Sequence, residues 1–374
     1  METYRFSSKV NQREREYLIQ TANDAESQSV STSVYVDGVR SEVVVSPLPM
    51  EASDDTVMSL VKHAHGDKRS EIETLLCVFN ETVSLGDASA MYSLGTTFFC
   101  KGLSSEAIEL LEAVIRIEPD HDQALNQLSL SYLVVDRTND AVSAATAAVR
   151  LKPGYADYRN NLGDAFLATG QSVKAIAEFQ EAISINMYYA DAYFNLSLAH
   201  TQHAIDSSDR HNSDQAVARA LDCLQKASLL YSNQIEANIF EKAQEALTNG
   251  DLPWALKLLK NSKTATLERK RQEQALLSMK FLLDPMNATE ETLSKRIRYL
   301  STELDKNPGY PDLQAELGQR HLEHACLIWQ KGIECLQKVT KLSGSFTDVA
   351  TVLDKAVQLH ELMKRAAKTS VGKD

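Results

Sequence analysis

Four polar side chains recur at one fixed step along the chain, and all of them can form hydrogen bonds. Each lies 34 residues from the next: Ser93, Gln127, Asn161 and Asn195. An amide side chain offers both a hydrogen-bond donor and an acceptor, so it can pair with a main chain of any sequence. The spacing predicts a ladder of side chains, one per repeated element, although a solvated helix face would also carry polar residues.

Histidine pairs are the candidates for metal binding. His200 and His203 stand three residues apart, as do His321 and His324 with Cys326 nearby. On a helix this spacing places both rings on one face, where they can chelate an ion. Neither pair has the glutamate of a His-Glu-x-x-His zinc site, and His200 and His321 both fall where the repeat described below has a packing aromatic residue. We therefore expect core or boundary histidines and no metal site.

The sequence lacks the local motifs that mark common catalytic sites. It has no Gly-x-x-x-x-Gly-Lys phosphate loop, no Gly-x-Ser-x-Gly nucleophile elbow and no dinucleotide fingerprint after a strand. We therefore expect no catalytic residue, no cofactor and no enzymatic activity.

The elements that must position the ladder repeat with the same period. Each ladder residue precedes a leucine, and a residue with almost no side chain follows it: Leu94-Gly95, Leu128-Ser129, Leu162-Gly163 and Leu196-Ser197. Other positions keep the step, as in Ala107, Ala141 and Ala175. A unit of this length is one helix-turn-helix that cannot bury its apolar face alone, so its copies must stack into a solenoid.

This pattern resembles the tetratricopeptide repeat (TPR) family. Residues 88–121, 122–155 and 156–189 match it closely, and a fourth unit starts at Ala190. In that unit the second helix resumes 11 residues late, so we interpret residues 206–213 as an insertion loop. A weaker fifth unit runs from about residue 236 to 268. The resemblance implies an all-α solenoid, built as a right-handed superhelix of helix hairpins.

The family resemblance also implies where the ladder lies. This helix position faces the concave groove in TPR proteins, and in O-linked N-acetylglucosamine transferases an asparagine ladder there grips a peptide backbone. Our chain is similar over these repeats, although only two of its four rungs are asparagine. The expected groove-lining residues are Tyr92, Thr96, Asn126, Asn160, Asp157, Asp164, Asp191 and Phe194.

The charge of the expected groove indicates which segments it would bind. The family's basic clamp for a C-terminal carboxylate is not expected, because its positions carry Tyr92, Asp157 and Asn161. With Asp164 and Asp191 on the inner helices, the groove should be neutral to acidic and favour an uncharged or basic segment. The basic run at residues 268–271 is interpreted as a solvated helix face.

The first 50 residues differ in kind from the repeats. Strand formers dominate residues 16–21, 30–36 and 39–45, and Asp37-Gly38 between the last two is a strong hairpin signal. We expect at most three strands, as a β-hairpin or meander that packs on the first helices or, alternatively, lends an edge strand to a partner. The sequence Ser53-Asp54-Asp55 should begin a helix that ends near Asn80.

The chain is thus predicted to have four parts. Residues 1–50 form the small β-element, 51–86 a linking helix, 87–269 a TPR solenoid of about five units with an insertion at 205–214, and 270–374 degenerate TPR-like hairpins with a capping helix. In the last part, Leu317-Gly318 should open a hairpin that also contains Gly332, and residues 346–367 should form the capping helix. The layout resembles that of bacterial TPR proteins.

Composition restricts the partners and the compartment. A formal charge of −12 argues against nucleic acid, since phosphate binding needs clustered lysine and arginine. No stretch approaches the roughly 18 consecutive apolar residues of a membrane span. Residues 1–15 lack the apolar core of a secretory signal, and five scattered cysteines without a Cys-x-x-Cys pair suit a reducing compartment. We expect a cytoplasmic protein.

These observations favour a non-catalytic adaptor or scaffold that binds an extended protein segment in the concave groove. Two alternatives stay open. The chain could be a regulatory or substrate-recruiting subunit of an enzyme such as a glycosyltransferase, or a self-assembling module that forms a homo-oligomer.

Overall fold

The computed structural model describes residues 2–49, 52–231, 234–283, 290–306, 311–342 and 352–360. The chain divides into two compact units. Met1–Ile185 and Ala190–Ala275 make up the first, and Asn186–Tyr189 and Leu276–Asp374 make up the second.

The first unit begins with a four-stranded antiparallel sheet in which each strand pairs with the next. Its strands are β1 Arg5–Gln12, β2 Arg15–Asp24, β3 Ser29–Val36 and β4 Val39–Pro47. Asp37 and Gly38 both have positive φ, at 48° and 83°, which is the backbone of the tight turn that Asp-Gly favours. The predicted hairpin at this dipeptide is confirmed.

The prediction of at most three strands was wrong, because β1 was missed. Phe6 and Val10 are the only large apolar residues of β1, and none of its side chains is fully buried, so its alternation is weak. The turn that joins β1 to β2 consists of Arg13 and Glu14, both with positive φ. Neither is a residue type that signals such a turn in a sequence.

The sheet packs on the first helix, α1, which spans Asp54–Leu85. The Ser53 hydroxyl accepts a hydrogen bond from the Thr56 amide at 3.3 Å, so the helix begins where the sequence predicts. It continues five residues past Asn80 and ends at Gly86, whose φ is 69°. No proline or glycine interrupts the chain between these points, so nothing stops the helix earlier.

Helix hairpins follow in the order that the repeats predict. Their helices are α2 Ala88–Cys100, α3 Ser104–Ile117, α4 Asp122–Val134, α5 Thr138–Leu151, α6 Ala156–Ala168, α7 Ser172–Ile185, α8 Ala190–Asp206, α9 Arg210–Leu230, α10 Gln234–Thr248 and α11 Leu252–Leu283. Helix α11 is one continuous helix, and the domain boundary predicted at residues 269–270 falls inside it.

The first helices of successive hairpins contact one another. Helix α2 contacts α4, α4 contacts α6 and α6 contacts α8, whereas no comparable contact joins the second helices α3, α5 and α7 in the described part of the chain. Helices that stand closer together lie on the inner side of a curved stack. We therefore call the surface formed by α2, α4, α6 and α8 the inner face.

The interpretation of residues 206–213 as an insertion loop was wrong. Asp206 ends α8 and Arg210 begins α9, so only residues 207–209 connect the two helices. The extra residues lengthen both helices, to 17 and 21 residues, instead of forming a loop. Asp209 caps α9 by accepting a hydrogen bond from the His211 amide at 3.1 Å, which explains why polar residues suit a helix start here.

Small residues let the paired helices approach closely. A Cβ atom added at Gly163 would lie 2.5 Å from Cε1 of Phe179, whose ring is fully buried on α7. At Gly95 the nearest atom to an added Cβ is Cγ of Leu111, at 3.1 Å. Of these two contacts between a glycine and a large apolar side chain, the one between Gly163 and Phe179 in the α6–α7 hairpin is the tighter.

A buried ion-pair network joins the sheet to α1 and to the α2–α3 turn. Lys68 Nζ lies 3.2 Å from Glu42 and 3.0 Å from Glu71, and Lys101 Nζ lies 2.7 Å from Glu71. The two lysine side chains are only 8% and 7% exposed. The expectation that the β-element packs on the first helices is confirmed.

The β1–β2 hairpin adds a second buried contact. Glu106 of α3 is 1% exposed, and its Oε1 accepts hydrogen bonds from Arg15 and from the Tyr17 hydroxyl, both at 2.7 Å. The Arg13 guanidinium stacks on the Phe79 ring of α1 at 3.6 Å. Nearby, the Ser41 carbonyl of β4 stands so close to Gly102 that any Cβ atom there would overlap it.

The second unit contains helices α12 Glu290–Lys306 and α13 Pro311–Leu342, which pack on each other. Gly332 lies inside α13, so the predicted separate hairpin after Leu317-Gly318 is one continuous helix, and that prediction was wrong. Of the predicted capping helix, residues 352–360 are helical. Trp329 donates a hydrogen bond from Nε1 to Ala356 O at 3.0 Å. Residues 346–351 and 361–367 of that prediction lie outside the described residues.

Candidate functional site

The four ladder residues lie on the four helices of the inner face, with different exposure. Ser93 on α2 is exposed, Gln127 on α4 and Asn161 on α6 are half-buried, and Asn195 on α8 is buried. Their equivalent positions follow from the equal spacing of the repeats. The ladder thus becomes less accessible towards the fourth repeat.

Asparagine side chains form a hydrogen-bonded row across three of these helices. The Nδ2 atom of Asn195 donates a hydrogen bond to Asn160 Oδ1 at 2.9 Å. The Nδ2 atom of Asn160 donates to Asn161 Oδ1 at 3.5 Å, and that of Asn161 donates to Asn126 Oδ1 at 2.9 Å. We call these four residues the asparagine row. It joins two ladder residues, Asn161 and Asn195, to two of the expected groove-lining residues, Asn126 and Asn160.

Gln127 differs from the asparagine row. Its Nε2 atom is buried and has no hydrogen-bond partner among the described residues. A buried donor without a partner costs roughly 1–3 kcal/mol, so such a group is favoured to bind an acceptor that approaches it.

The other expected groove-lining residues fall into two groups. The Tyr92 ring packs on the His121 ring at 5.0 Å between centroids, Thr96 donates to Tyr92 O at 3.0 Å, and Asp157 is half-buried. Phe194 instead belongs to an apolar core that includes Phe240 of α10, with ring centroids 5.7 Å apart. Phe194 is therefore a core residue and does not line the inner face, whereas Tyr92 is only half-buried.

The two remaining aspartates are paired with helix α11. Asp164 forms an ion pair with Lys263, and Asp191 forms one with Lys270 at 2.6 Å. The Tyr231 hydroxyl also donates to Asp191. Burial raises the pKa of Asp164 in spite of Lys263. Burial opposes ionisation of Asp191 too, but there Lys270 and the Tyr231 hydroxyl hold the pKa below its ordinary value.

The basic run at residues 268–271 is not a solvated face throughout, and that interpretation was wrong. Arg271 donates from Nε to Phe99 O at 2.9 Å and stacks on the Phe99 ring at 4.5 Å. Sequence reasoning missed this contact between α11 and α2. A usable signal was the step of seven residues from Lys263 to Lys270, which places both on the helix face that also carries buried Leu259.

His200 occupies the aromatic position of the fourth repeat and is a core residue. It is 3% exposed, and its Nδ1 atom has no hydrogen-bond partner among the described residues. A cavity of about 190 Å³ lies beside it, bordered by Ile176, His203 and Arg219. Among the described residues, no group of three or more His, Cys, Asp and Glu side chains is arranged to hold a metal ion.

Burial makes His200 a source of acid instability. Burial, with Arg219 and His203 nearby, lowers the pKa of His200 from 6.5 to about 4. The unfolded chain therefore binds a proton below pH 6.5 that the folded chain takes up only near pH 4, so stability falls as the pH decreases through this window. Between pH 7 and pH 5 we expect a loss of about 2 kcal/mol from this group.

The substitution His200→Phe should remove that loss, because phenylalanine restores the packing aromatic, does not titrate and can extend into the cavity. Urea unfolding at pH 7 and pH 5 measures the difference. His63→Gln, at an exposed position of α1, is the control and should leave the pH dependence unchanged. Equal pH dependence in wild type and His200→Phe would contradict the assignment.

Comparison with known proteins identifies the repeats. Residues 126–193, which run from α4 into α8 and hold most of the asparagine row, match the family model described as tetratricopeptide repeat. This stretch of the chain therefore consists of tetratricopeptide repeats. A comparison with curated proteins gives no match. Within the described residues, no helix has the length and apolar character needed to cross a bilayer.

Several solved structures are similar over part of the chain. MamA is 23% identical over 43% of this chain and 95% of its own, with a TM-score of 0.36. TTC0263, a thermophilic TPR protein of Thermus thermophilus, is 16% identical over 63% of this chain and 100% of its own, with a TM-score of 0.35. A mutant O-GlcNAc transferase of Thermobaculum terrenum is 25% identical over 37% of this chain and 26% of its own, with a TM-score of 0.32.

Proposed function

We propose that this protein is a non-catalytic interaction scaffold that binds an extended, neutral to basic segment of a partner protein on the inner face. Repeats of this family build a continuous surface from short units, and such surfaces bind other proteins. The half-buried members of the asparagine row, Asn126 and Asn161, and the ladder residues Ser93 and Gln127 would contact the main chain of the bound segment.

The proposal is supported above all by the asparagine row and by the Gln127 amide, whose Nε2 atom has no hydrogen-bond partner among the described residues. Four asparagines in mutual hydrogen bonds keep their amide groups in fixed orientations, and a fixed donor or acceptor loses less entropy on binding than a free one. Gln127 lies in the repeat before Asn161 and offers a donor that no described residue satisfies. Amide groups do not select a particular side chain, so recognition of the main chain is the chemistry they support.

The acidic residues of the inner face give the proposed preference for charge. Asp164 and Asp191 each form an ion pair with a lysine side chain of the same chain, so the carboxylates of this surface are able to bind basic groups. A lysine-rich segment would gain from the same carboxylates, whereas an acidic segment would be repelled by them.

Fluorescence anisotropy with labelled peptides of about 12 residues tests the proposal. We expect a lysine-rich and an uncharged peptide to bind more tightly than a glutamate-rich one. The substitution Asn161→Ala should weaken binding roughly fivefold, which corresponds to about 1 kcal/mol for a lost hydrogen bond.

The matched control is Asn139→Ala, at an exposed asparagine of α5, outside the inner face. It should leave the affinity unchanged. Preference for the glutamate-rich peptide, or equal loss in both alanine variants, would contradict the proposal.

A further inference from the structure

Helix α11 lies on the inner face of its own solenoid. Lys263 contacts α6 through Asp164, Lys270 contacts α8 through Asp191, and Arg271 contacts α2 through Phe99 O. Lys270 and Arg271 are neighbours in sequence, yet they reach the fourth and the first hairpin. Helix α11 therefore bridges helices that belong to opposite ends of the inner face.

The contacts use one face of α11 and basic side chains at a helical step. Ala255 and Leu259 are buried in the apolar core that also contains Phe240 of α10, and further along the same helix Lys263 and Thr266 are half-buried. Positions that recur every three or four residues share one face of a helix. Lys263 and Lys270, two turns apart, are thus presented together to the two aspartates.

The same carboxylates are those that would bind a basic partner segment. We infer that α11 is an internal ligand of the inner face, and that an external segment binds there only by displacing it. This inference rests on the proposed function and narrows the partner to a basic segment whose lysine or arginine side chains can replace Lys263 and Lys270 at Asp164 and Asp191.

The ion pairs that hold α11 on the inner face are weak enough for an external segment to displace the helix. In the pair of Lys270 with Asp191 the side chains are 46% and 29% exposed, and an ion pair this accessible to water is weak. In the pair of Lys263 with Asp164 the carboxylate is only 12% exposed, and burial that raises its pKa opposes the charge on which the pair depends. A tethered helix nevertheless competes well, because its effective concentration is high. The apparent affinity for an external segment then equals the intrinsic affinity multiplied by the fraction of molecules in which α11 is undocked.

A labelled peptide that reproduces residues 255–271 tests the inference directly. We expect it to bind the full-length variant K263E/K270E at least tenfold more tightly than the wild type. In this variant the two glutamates face Asp164 and Asp191, so charge repulsion should release α11. The control K242E/K260E reverses two exposed lysines of α10 and α11 and changes the net charge equally. It should bind the peptide as weakly as the wild type does.

A rescue variant guards against a change in folding. Adding D164K/D191K to K263E/K270E restores opposite charges between α11 and the inner face, so peptide binding should return to the wild-type level or below. Circular dichroism should show equal helix content in all the proteins.

The possible failures can be told apart. Equal affinity of the 255–271 peptide for wild type, K263E/K270E and control would overturn the inference, while binding of the short lysine-rich peptide would leave the proposed function in place. If K263E/K270E bound neither the 255–271 peptide nor the lysine-rich peptide, both would be overturned.

Discussion

Replacing Glu71 by glutamine is expected to lower the free energy of unfolding by about 3 kcal/mol, because it leaves two buried lysines with too little negative charge. Glu71 pairs with Lys68 at 3.0 Å and with Lys101 at 2.7 Å, which leaves Glu42 as the remaining carboxylate of the network. Urea unfolding followed by circular dichroism measures the loss.

The control for this prediction lies on the same helix. Glu73 pairs with Arg69 at 2.9 Å, but both side chains are about half exposed. Pairs of this kind contribute about 0.2–1 kcal/mol, so Glu73→Gln should cost little. Similar losses in the two variants would show that the network does not hold the sheet on the solenoid.

The network also gives the loss at Glu71 a dependence on pH. Burial opposes ionisation of Glu71, yet Lys68 and Lys101 prevail and hold its pKa below the ordinary value. The unfolded chain therefore binds this proton at a higher pH than the folded chain does, and the stabilisation fades as the pH falls below the ordinary carboxyl range. The difference between wild type and Glu71→Gln should shrink in acid.

Introducing one methyl group at Gly163 is expected to destabilise the fold by about 2 kcal/mol through overpacking. The added Cβ would lie 2.5–2.9 Å from three atoms of the Phe179 ring, which is fully buried. Alanine has the higher helix propensity by about 1 kcal/mol, so the observed loss is what remains after that gain.

Two further variants isolate this contact. Gly95→Ala meets Leu111 Cγ at 3.1 Å and should be close to neutral, since the propensity gain offsets a smaller overlap. In the double variant Gly163→Ala with Phe179→Leu, the smaller side chain makes room, so its cost should be lower than the sum of the single costs by about 1 kcal/mol or more. Additive costs would contradict steric overlap as the cause.

The helical hairpins were predictable because their determinants are local. Each unit carries its own leucine, small residue and turn, and the period of 34 repeats the same information several times. The strand β1 and the extension of α8 and α9 were not predictable in this way. Phe6 and Val10 are too few to mark a strand, and a polar stretch such as residues 206–213 suits a helix end as well as a loop.

The positions of the ladder residues were predictable, but their contacts were not. Periodicity places Asn161 and Asn195 at equivalent sites on neighbouring helices. Whether they bond to a ligand or to Asn126 and Asn160 depends on how closely the helices approach, which no local pattern specifies. The pairing of Asp164 with Lys263 spans 99 residues and depends on where a long helix returns in space.

The hydrogen bonds of the asparagine row all run in one direction. Each residue in it donates to the next in the order Asn195, Asn160, Asn161 and Asn126, so the amide dipoles align head to tail from α8 towards α4. Aligned dipoles reinforce one another in a low-dielectric setting. In the proposed complex, a strand laid alongside these dipoles would not be equivalent to its reverse, so the surface would distinguish the two orientations of a bound chain without contacting a single side chain.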